Sequence, residues 1–201
     1  VIRLDRNRTV LAIGDVSGKG AGAALLMSNL QASIRTAVRI ASDLREIVNQ
    51  INELIYENTQ VHQFITFFVG VFNSSNSTFS YVNAGHNPPL AITLDGKLQK
   101  LERGGLILGA MPEIDYETDE VKLAPGDLLF FYTDGLTEAA NSQEEMFEER
   151  RVIDFILRNR NLHPGDLLEI IETEMKSFTG DAEMGDDLTM LAARVLPAPE
   201  S

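Results

Sequence analysis

The 201-residue sequence contains no cysteine. Disulfide bonds, thiolate nucleophiles and cysteine-ligated zinc or iron-sulfur sites are therefore excluded. Histidine, another zinc ligand, occurs only three times, and His62, His86 and His163 are scattered along the chain. A metal site in this chain would draw on oxygen ligands, and the composition permits a reducing compartment.

Positive charge is also scarce. Thirty acidic residues against 17 basic ones give a net charge of -13, which is the wrong sign for holding a nucleic-acid backbone. No run approaches the roughly 18 consecutive apolar residues of a membrane helix, and the first ten residues lack the apolar core of a signal peptide. We expect no nucleic-acid partner and no membrane insertion. The expected location is the cytoplasm, or the cytoplasmic side of a membrane that anchors a longer protein.

Familiar motifs are missing as well. Residues 14–20 read GDVSGKG, but the glycines are four positions apart instead of five and no serine or threonine follows Lys19, so this is not a P-loop. Ser17 directly precedes Gly18, which breaks the GxSxG pattern of a serine-nucleophile elbow. No EF-hand loop occurs either. The absence of the GxSxG pattern argues against hydrolysis by acyl transfer to a serine nucleophile.

What the chain does have is a substantial apolar content, 44% of residues, which suffices for one domain of ordinary size. We assign residues 1–196 to that domain and 197–201 to a C-terminal tail. Apolar periodicity predicts helices early and late, with strands between them. The predicted helices are residues 22–40, 42–58, 148–157 and 166–178, and the strands are 9–13, 64–72, 78–82, 90–94, 98–101, 116–123, 128–133 and 188–195.

The order of these elements predicts the fold class. Two strand pairs form hairpins, the second through a two-residue Asp95-Gly96 connection, and Ser42 is a candidate N-cap for the second helix. Residues 128–133 (LLFFYT) are apolar on both faces, which predicts a central strand. Because hairpins join the strands in the middle of the chain, we predict an α+β fold of antiparallel sheets flanked by helices.

Three aspartates share one setting. Asp15, Asp134 and Asp186 each lie where a predicted strand meets a glycine, in LAIGD, FFYTDG and GDDLTMLA. A single Asp-Gly pair is common in turns for conformational reasons. Three such pairs at strand ends favour convergence of these carboxylates, because glycine permits the close backbone approach that a compact ion site needs.

Converging carboxylates need a positive partner. At 4 Å and an effective dielectric of about 20, each pair repels by roughly 4 kcal/mol. Oxygen ligands select hard cations, so Mg²⁺ or Mn²⁺ is the natural candidate. Two such ions roughly 3.5 to 4 Å apart would activate a water and clamp a phosphoryl group, which makes phosphoester hydrolysis the economical interpretation.

Four segments occur in order along the chain: GDVSGKG (14–20), NAGHNPP (83–89), LAPGDLLFFYTDGLTEA (123–139) and GDDLTML (185–191). Taken together, they resemble the PPM family of metal-dependent protein serine/threonine phosphatases, in its SpoIIE/RsbU-type bacterial branch. The resemblance covers nearly the entire chain. It implies an αββα sandwich with a metal pair at one sheet edge, and hydrolysis of phosphoserine or phosphothreonine by a metal-activated water without a phosphoenzyme.

The same resemblance implies a ligand set. Asp15, Asp134 and Asp186 would be the catalytic metal ligands, and the backbone carbonyl of Val16 would assist Asp15. The expected ions are Mn²⁺ or Mg²⁺, two in number.

Other residues receive supporting roles by resemblance. Lys19 would contact the phosphate or simply face water, and His86 would protonate the leaving oxygen, position substrate or merely shape the turn at 88–89. Asp187 and Thr189 would be supporting or turn residues behind the ligands, and Glu138 would hydrogen-bond the loop that presents Asp134.

One departure concerns the N-terminus. Family members usually have a preceding strand with a GGDxYD-like segment, whose aspartate helps to hold the second ion. The sequence starts after that position, so we expect the first strand to be lacking and the second ion site to be incomplete.

The resemblance also implies partners. It suggests an upstream sensory or regulatory domain, regulation through the first two helices, and a phosphorylated anti-anti-sigma (STAS-type) protein as substrate. Dimerisation is left open. Two rival interpretations remain: a non-catalytic PPM-fold binding module, and a calcium-stabilised domain without a substrate.

Overall fold

The computed structural model describes residues 1–41, 43–59, 63–182 and 185–197. The chain splits into two compact units, Val1–His86 with Glu102–Leu123 and Asn87–Leu101 with Ala124–Ser201. In chain order the elements are β1 (Ile2–Arg3), β2 (Arg8–Val16), α1 (Ala21–Ile40), α2 (Leu44–Asn58), β3 (Ile65–Asn73), β4 (Thr78–Ala84), β5 (Leu90–Ile92), β6 (Leu98–Lys100), β7 (Gly104–Gly105), β8 (Asp119–Lys122), β9 (Leu128–Tyr132), α3 (Asp134–Thr137), α4 (Glu148–Asn159), α5 (Pro164–Thr179) and β10 (Met190–Arg194).

The first unit contains a six-stranded sheet in the order β1-β2-β3-β4-β7, with β8 also paired to β4. The long β2–β3 pair sets Asp15 opposite Thr66 and Val16 opposite Ile65. All pairs are antiparallel except β4 with β7, which runs parallel. The predicted antiparallel sheet is therefore wrong at this one pair, because two consecutive glycines carry no strand pattern in the sequence.

Helices α1 and α2 cover one face of this sheet. Their apolar residues recur three and four positions apart, and they share a core with alternate residues of β2, β3 and β4. The buried apolar helix positions are Leu26, Leu30, Ile34, Val38, Leu44, Ile47, Val48, Ile51 and Ile55. The opposite face of the sheet carries Phe68, Phe79 and Tyr81, whose stacked ring centroids lie 5.4 to 6.4 Å apart.

A buried amide attaches the connection between β7 and β8 to α2. Asn52, only 1% exposed, donates from Nδ2 to the carbonyls of Met111 (2.9 Å) and Pro112 (3.2 Å). Its Oδ1 accepts from the N–H of Gly109 (3.0 Å) and from the hydroxyl of Tyr116 (3.4 Å). Both donor hydrogens and the acceptor oxygen of this side chain are thus used.

The second unit contains the antiparallel sheet β10-β9-β5-β6. Every residue of β9 is buried and the strand is central, which confirms the prediction from LLFFYT. Helices α4 and α5 contribute Val152, Ile156, Leu167 and Ile171 to a core shared with this sheet.

An ion pair joins this sheet to α4. The ammonium of Lys100 and the hydroxyl of Tyr132 (2.9 Å) both donate to the carboxylate of Glu149. Partial burial acts to raise the pKa of Glu149, but the hydrogen bonds from Lys100 and Tyr132 outweigh it and hold that pKa below its ordinary value.

The hairpin β5–β6 corrects a prediction. The N–H of Thr93 donates to the carbonyl of Lys97 over 2.9 Å, so the loop comprises residues 94–96 and not the two residues Asp95-Gly96 alone. Gly96 has a φ of 89°. Three-residue hairpin loops place such a left-handed residue at their end, and glycine takes that conformation at no steric cost.

Helix α2 begins at Leu44 with Asp43 as its N-cap, whose side chain accepts from the N–H of Arg45 over 2.9 Å. The predicted cap Ser42 lies outside the described residues, as do His62 and residues 198–201. The short elements β1, β7 and α3 have no periodicity from which to predict them. None of the helices in the described part of the chain is both long and apolar enough to span a bilayer.

Candidate metal centre

Asp134 lies where the central strand of the second unit ends. It follows Thr133 directly after β9 and is the first residue of the one-turn helix α3. Its backbone carbonyl accepts from the N–H of Glu138 (2.8 Å) and the hydroxyl of Thr137 (3.2 Å). Its carboxylate oxygen Oδ1 is buried and has no hydrogen-bond partner within the described residues. A buried carboxylate oxygen without a donor is costly, which points to a ligand that satisfies it.

Thr133 holds the loop of Asp186 beside this strand end. The side chain of Thr133, 3% exposed, donates to the carbonyl of Asp187 (3.1 Å) and accepts from the N–H of Thr189 (3.0 Å). The N–H of Thr133 also donates to the carbonyl of Thr189 over 3.0 Å. One buried threonine therefore fixes two segments that are more than 50 positions apart in the sequence.

Gly135 permits the close approach of these two segments. A Cβ at this position would lie 2.4 Å from the carbonyl oxygen of Asp187, closer than real Cβ atoms approach. Among the described residues, no atom lies within 4 Å of a Cβ built at Gly185, beside Asp186. The expectation that glycine allows a close backbone approach is therefore met at Gly135 and not at Gly185.

These restraints bring two of the predicted ligands together. Asp134 and Asp186 each offer a carboxylate oxygen, and the two atoms lie within 4.8 Å of one another. Asp186 is exposed and already accepts one hydrogen bond, from the N–H of Asp187 over 2.9 Å. Two ionised carboxylates at about this separation repel by a few kcal/mol at an effective dielectric of about 20. A hard divalent cation fits such an all-oxygen pair.

Asp15 and Val16 belong to the first unit, where they are the last two residues of β2. Both the N–H and the C=O of Ile65 bond to Leu108. The opposed pair Val16–Ile65 is therefore a non-hydrogen-bonded one, and the Val16 carbonyl points away from β3. On that side of β2 the short strand β1 reaches only Thr9 and Val10. Among the described strands, none pairs with β2 at the Val16 carbonyl, so this edge of the sheet is open there, as a metal ligand requires.

Gly14 supports this strand end by the same device as Gly135. A Cβ at Gly14 would lie 2.9 Å from the backbone oxygen of Thr66 on β3. After Val16 the chain turns through Ser17, whose N–H donates to the carbonyl of Phe64 and whose hydroxyl accepts from the N–H of Phe64. Lys19 is exposed in the following turn, ahead of α1.

His86 is 4% exposed at the end of the segment that follows β4. Its Nδ1 lies 2.9 Å from the hydroxyl oxygen of Thr66. The backbone N–H of His86 donates to Oδ1 of Asn83 (2.8 Å), and the backbone carbonyl of His86 accepts from Nδ2 of Asn83 (3.0 Å). His163, by contrast, caps the N-terminus of α5 by accepting from the N–H of Gly165.

The supporting residues act through their backbones. Asp187 and Thr189 are exposed, and their peptide groups make the bonds to Thr133. Glu138 reaches the Asp134 segment through its N–H, while the residue itself is exposed. Sequence reasoning missed Thr133 and Thr66, because a threonine within or beside an apolar strand looks like an ordinary strand residue.

The structure matches solved PP2C-type domains. The SiaA-PP2C domain of Pseudomonas aeruginosa superimposes with a TM-score of 0.85 at 20% identity, over 96% of this chain and 78% of that one. The catalytic domain of the serine threonine protein phosphatase PstP, solved in complex with two manganese ions, gives a TM-score of 0.66 at 13% identity, over 98% of this chain and 94% of that one. The predicted fold class is confirmed: an α+β, PP2C-type fold with two sheets flanked by helices.

The family assignment follows from the sequence. The family model described as Stage II sporulation protein E (SpoIIE) matches residues 5–196. The chain belongs to this family, which confirms the resemblance carried by the four motifs.

Two curated relatives are similar to the chain over most of its length. Protein IcfG of Synechocystis sp. is 29% identical over 90% of this chain, and phosphoserine phosphatase RsbU of Bacillus subtilis is 28% identical over 94% of it. The chain spans 33% of IcfG and 56% of RsbU.

Proposed function

We propose that this chain is a metal-dependent protein phosphatase domain that hydrolyses phosphoserine or phosphothreonine. The observation that carries the proposal is the carboxylate pair of Asp134 and Asp186, with oxygens within 4.8 Å of each other and with Oδ1 of Asp134 buried and not hydrogen-bonded to any described residue. Membership of the SpoIIE family and the 28% identity to the phosphoserine phosphatase RsbU support the same reaction.

Asp15 and the Val16 carbonyl complete the proposed ligand set with Asp134 and Asp186. The open-edge position of the Val16 carbonyl supports its inclusion. Only oxygen ligands take part, so the proposed ions are Mn²⁺ or Mg²⁺. The two manganese ions in the PstP structure favour Mn²⁺. When bound, such ions supply Lewis-acid charge that lowers the pKa of a water and neutralises phosphoryl oxygens.

The chain's own residues bind and orient in this proposal. Thr133 keeps the Asp134 and Asp186 segments together against the repulsion of their carboxylates. Asp187 and Thr189 present the peptide groups for those bonds, and the N–H of Glu138 closes the turn behind Asp134. Lys19, exposed in the turn after β2, would contact the phosphate of the substrate through its ammonium group.

The proposed substrate is a phosphorylated regulatory protein of the anti-anti-sigma (STAS) type, and the proposed setting is a longer protein with a sensory or regulatory domain. The SpoIIE/RsbU-type motifs support both points. The relatives IcfG and RsbU are longer than the region that this chain matches, as the covered shares of 33% and 56% show.

Phosphate release tests the proposal. The chain is incubated with a serine-phosphorylated STAS-domain protein and, separately, with p-nitrophenyl phosphate, each with Mn²⁺ and with EDTA. We expect release that depends on Mn²⁺ and falls at least a hundredfold in Asp134→Asn, on the order expected when a group that stabilises the transition state is removed. Asp154→Asn, which alters an exposed carboxylate on α4, is the matched control and should keep full activity.

Two results contradict the proposal. Release that is equal with Mn²⁺ and with EDTA would exclude a metal-dependent reaction. Binding of the phosphoprotein, measured by calorimetry, without turnover on either substrate would identify a binding module in place of an enzyme.

A further inference from the structure

A row of polar groups crosses the first unit's sheet at the level of Asp15. Asp15 on β2 lies directly opposite Thr66 on β3, so their side chains are neighbours on the same face of the sheet. The hydroxyl of Thr66 in turn lies 2.9 Å from Nδ1 of His86. This face is the one opposite to α1 and α2, because the neighbouring residues Ile65 and Phe67 enter the core beneath the helices.

The imidazole in this row is held in place from behind. The N–H and the carbonyl of His86 both bond to the side-chain amide of Asn83, at 2.8 and 3.0 Å. Asn83 is itself 4% exposed and lies on β4. The hydrogen bonds to Asn83 fix the backbone of His86, and the contact with Thr66 fixes its Nδ1. The imidazole ring therefore has little freedom to move towards a substrate.

We propose that His86 is a positioning residue, which acts through the Thr66 hydroxyl to orient the carboxylate of Asp15 as a metal ligand. In this arrangement Nδ1–H of His86 donates to Oγ1 of Thr66, and the Thr66 hydroxyl donates its hydrogen to Asp15. Carboxylate ligands commonly receive such a bond from a neighbouring group, which fixes their orientation. The inference rests on the proposed function, since it assigns Asp15 to the metal site.

This role differs from the proton donation to a leaving group that the sequence left open for His86. A proton donor matters most for a poor leaving group such as the serine alkoxide, and little for p-nitrophenolate. A positioning residue weakens metal binding and affects both substrates alike. The two roles therefore separate in experiments with two substrates and with metal binding measured directly.

The first experiment measures the binding of Mn²⁺ to the whole chain. Electron paramagnetic resonance of free aqueous Mn²⁺ gives the dissociation constant without any turnover. We expect Thr66→Val to weaken Mn²⁺ binding about tenfold to a hundredfold, the usual effect of losing a partner of a metal ligand. Thr66→Ser keeps the hydroxyl and should restore most of the affinity.

The histidine variants extend the same measurement. His86→Asn retains a donor near the Nδ1 position and should bind Mn²⁺ better than His86→Ala. The double variant Thr66→Val/His86→Ala should be no weaker than Thr66→Val alone, because both changes break one chain of contacts. Thr78→Val is the matched control: it removes the hydroxyl of another buried threonine of this sheet, one that contacts Lys122, and should leave Mn²⁺ affinity unchanged.

The outcomes are distinct. Weakened binding in Thr66→Val and His86→Ala, rescue by the conservative variants, and equal loss of activity on phosphoserine and aryl phosphate at subsaturating Mn²⁺ support the inference. Unchanged Mn²⁺ affinity in Thr66→Val and His86→Ala, or a loss of activity in His86→Asn confined to phosphoserine, overturns it and leaves the proposed function intact. If the unaltered chain takes up no Mn²⁺, the proposed metal site and this inference both fail. Thermal melts show which variants are folded, and the Mn²⁺ affinity of His86→Ala decides if Thr66→Val does not fold.

Discussion

The hydroxyl of Thr133 donates a hydrogen bond to the backbone carbonyl of Asp187 over 3.1 Å. Since Thr133 immediately precedes Asp134 and Asp187 immediately follows Asp186, this contact fixes two carboxylates relative to one another. The bond lies inside the second unit and depends on burial of the threonine, which is 3% exposed. It makes Thr133 as informative a target as the aspartates themselves.

Thr133→Val tests that contact. The isosteric change leaves the N–H of Thr189 without its acceptor and the carbonyl of Asp187 without its donor. We expect a loss of about 1–3 kcal/mol in the free energy of unfolding and about tenfold weaker Mn²⁺ binding. Thr179→Val removes a buried hydroxyl of the same unit that bonds a helix carbonyl, so it should cost stability without changing Mn²⁺ affinity. Equal Mn²⁺ affinity in both variants would contradict the role of Thr133.

Gly135→Ala should push the Asp134 segment and the Asp187 segment apart through a steric clash. The new Cβ would lie 2.4 Å from the carbonyl oxygen of Asp187, so one segment must shift, at a cost of about 1–3 kcal/mol by analogy with overpacking. Gly185→Ala is the matched control, because its Cβ would meet no atom of the described residues within 4 Å. Urea denaturation of the two variants should show destabilisation in the first and little change in the second. Similar midpoints for both would show that the segments are not closely apposed.

Asn52→Ala addresses the first unit. The change leaves the N–H of Gly109 and the carbonyls of Met111 and Pro112 without their buried partner. We expect the free energy of unfolding to fall by about 2–4 kcal/mol. Asn58→Ala, on the same helix, removes an exposed amide that donates to the carbonyl of Leu54 one turn back and should cost under about 1 kcal/mol. Chemical denaturation followed by circular dichroism measures both, and a small effect of Asn52→Ala would mean that water replaces the amide.

Glu149 predicts a pH dependence with a definite sign. Its pKa is held below the ordinary glutamate value by Lys100 and Tyr132 despite partial burial. Its ionised form therefore contributes stability above the unfolded-state pKa of about 4.3, and this contribution is lost as the pH falls through the lower folded-state pKa. Thermal melts should show Glu149→Gln less stable than the unaltered chain near pH 7, with the gap closing below about pH 4.

A control for this pH series is Glu172→Gln. Glu172 pairs with Lys176 on an exposed face of α5, and exposed pairs contribute little. We expect a small, nearly constant difference from the unaltered chain at both pH values. If the difference in melting temperature between Glu149→Gln and the unaltered chain grows in acid, the ionised form of Glu149 does not stabilise the fold.

Much of the fold could be predicted because the burial of one face of a helix, or of both faces of a strand, produces a recognisable spacing of apolar residues in the local sequence. In α1, apolar residues recur every three or four positions, which indicates one buried face. In β9, apolar residues occupy both faces, which indicates a strand covered on both sides. Both are confirmed. The parallel Gly104–Gly105 pairing was beyond prediction, since a strand of two glycines has no side chains to pattern. The Asp95-Gly96 hairpin was predicted one residue too short, because an Asp-Gly pair fits two loop lengths.

The sequence by itself determined the family and placed the three aspartates beside predicted strands, and it predicted oxygen ligands for a hard cation, because those depend on residue types in fixed local order. Only the tertiary structure decided which side chains contact the segments that carry the aspartates. Thr133 meets Asp187 across 54 positions, and Thr66 meets His86 across 20. A hydrogen bond between distant segments depends on strand register and burial, and neither leaves a pattern in the local sequence on which a prediction could rest.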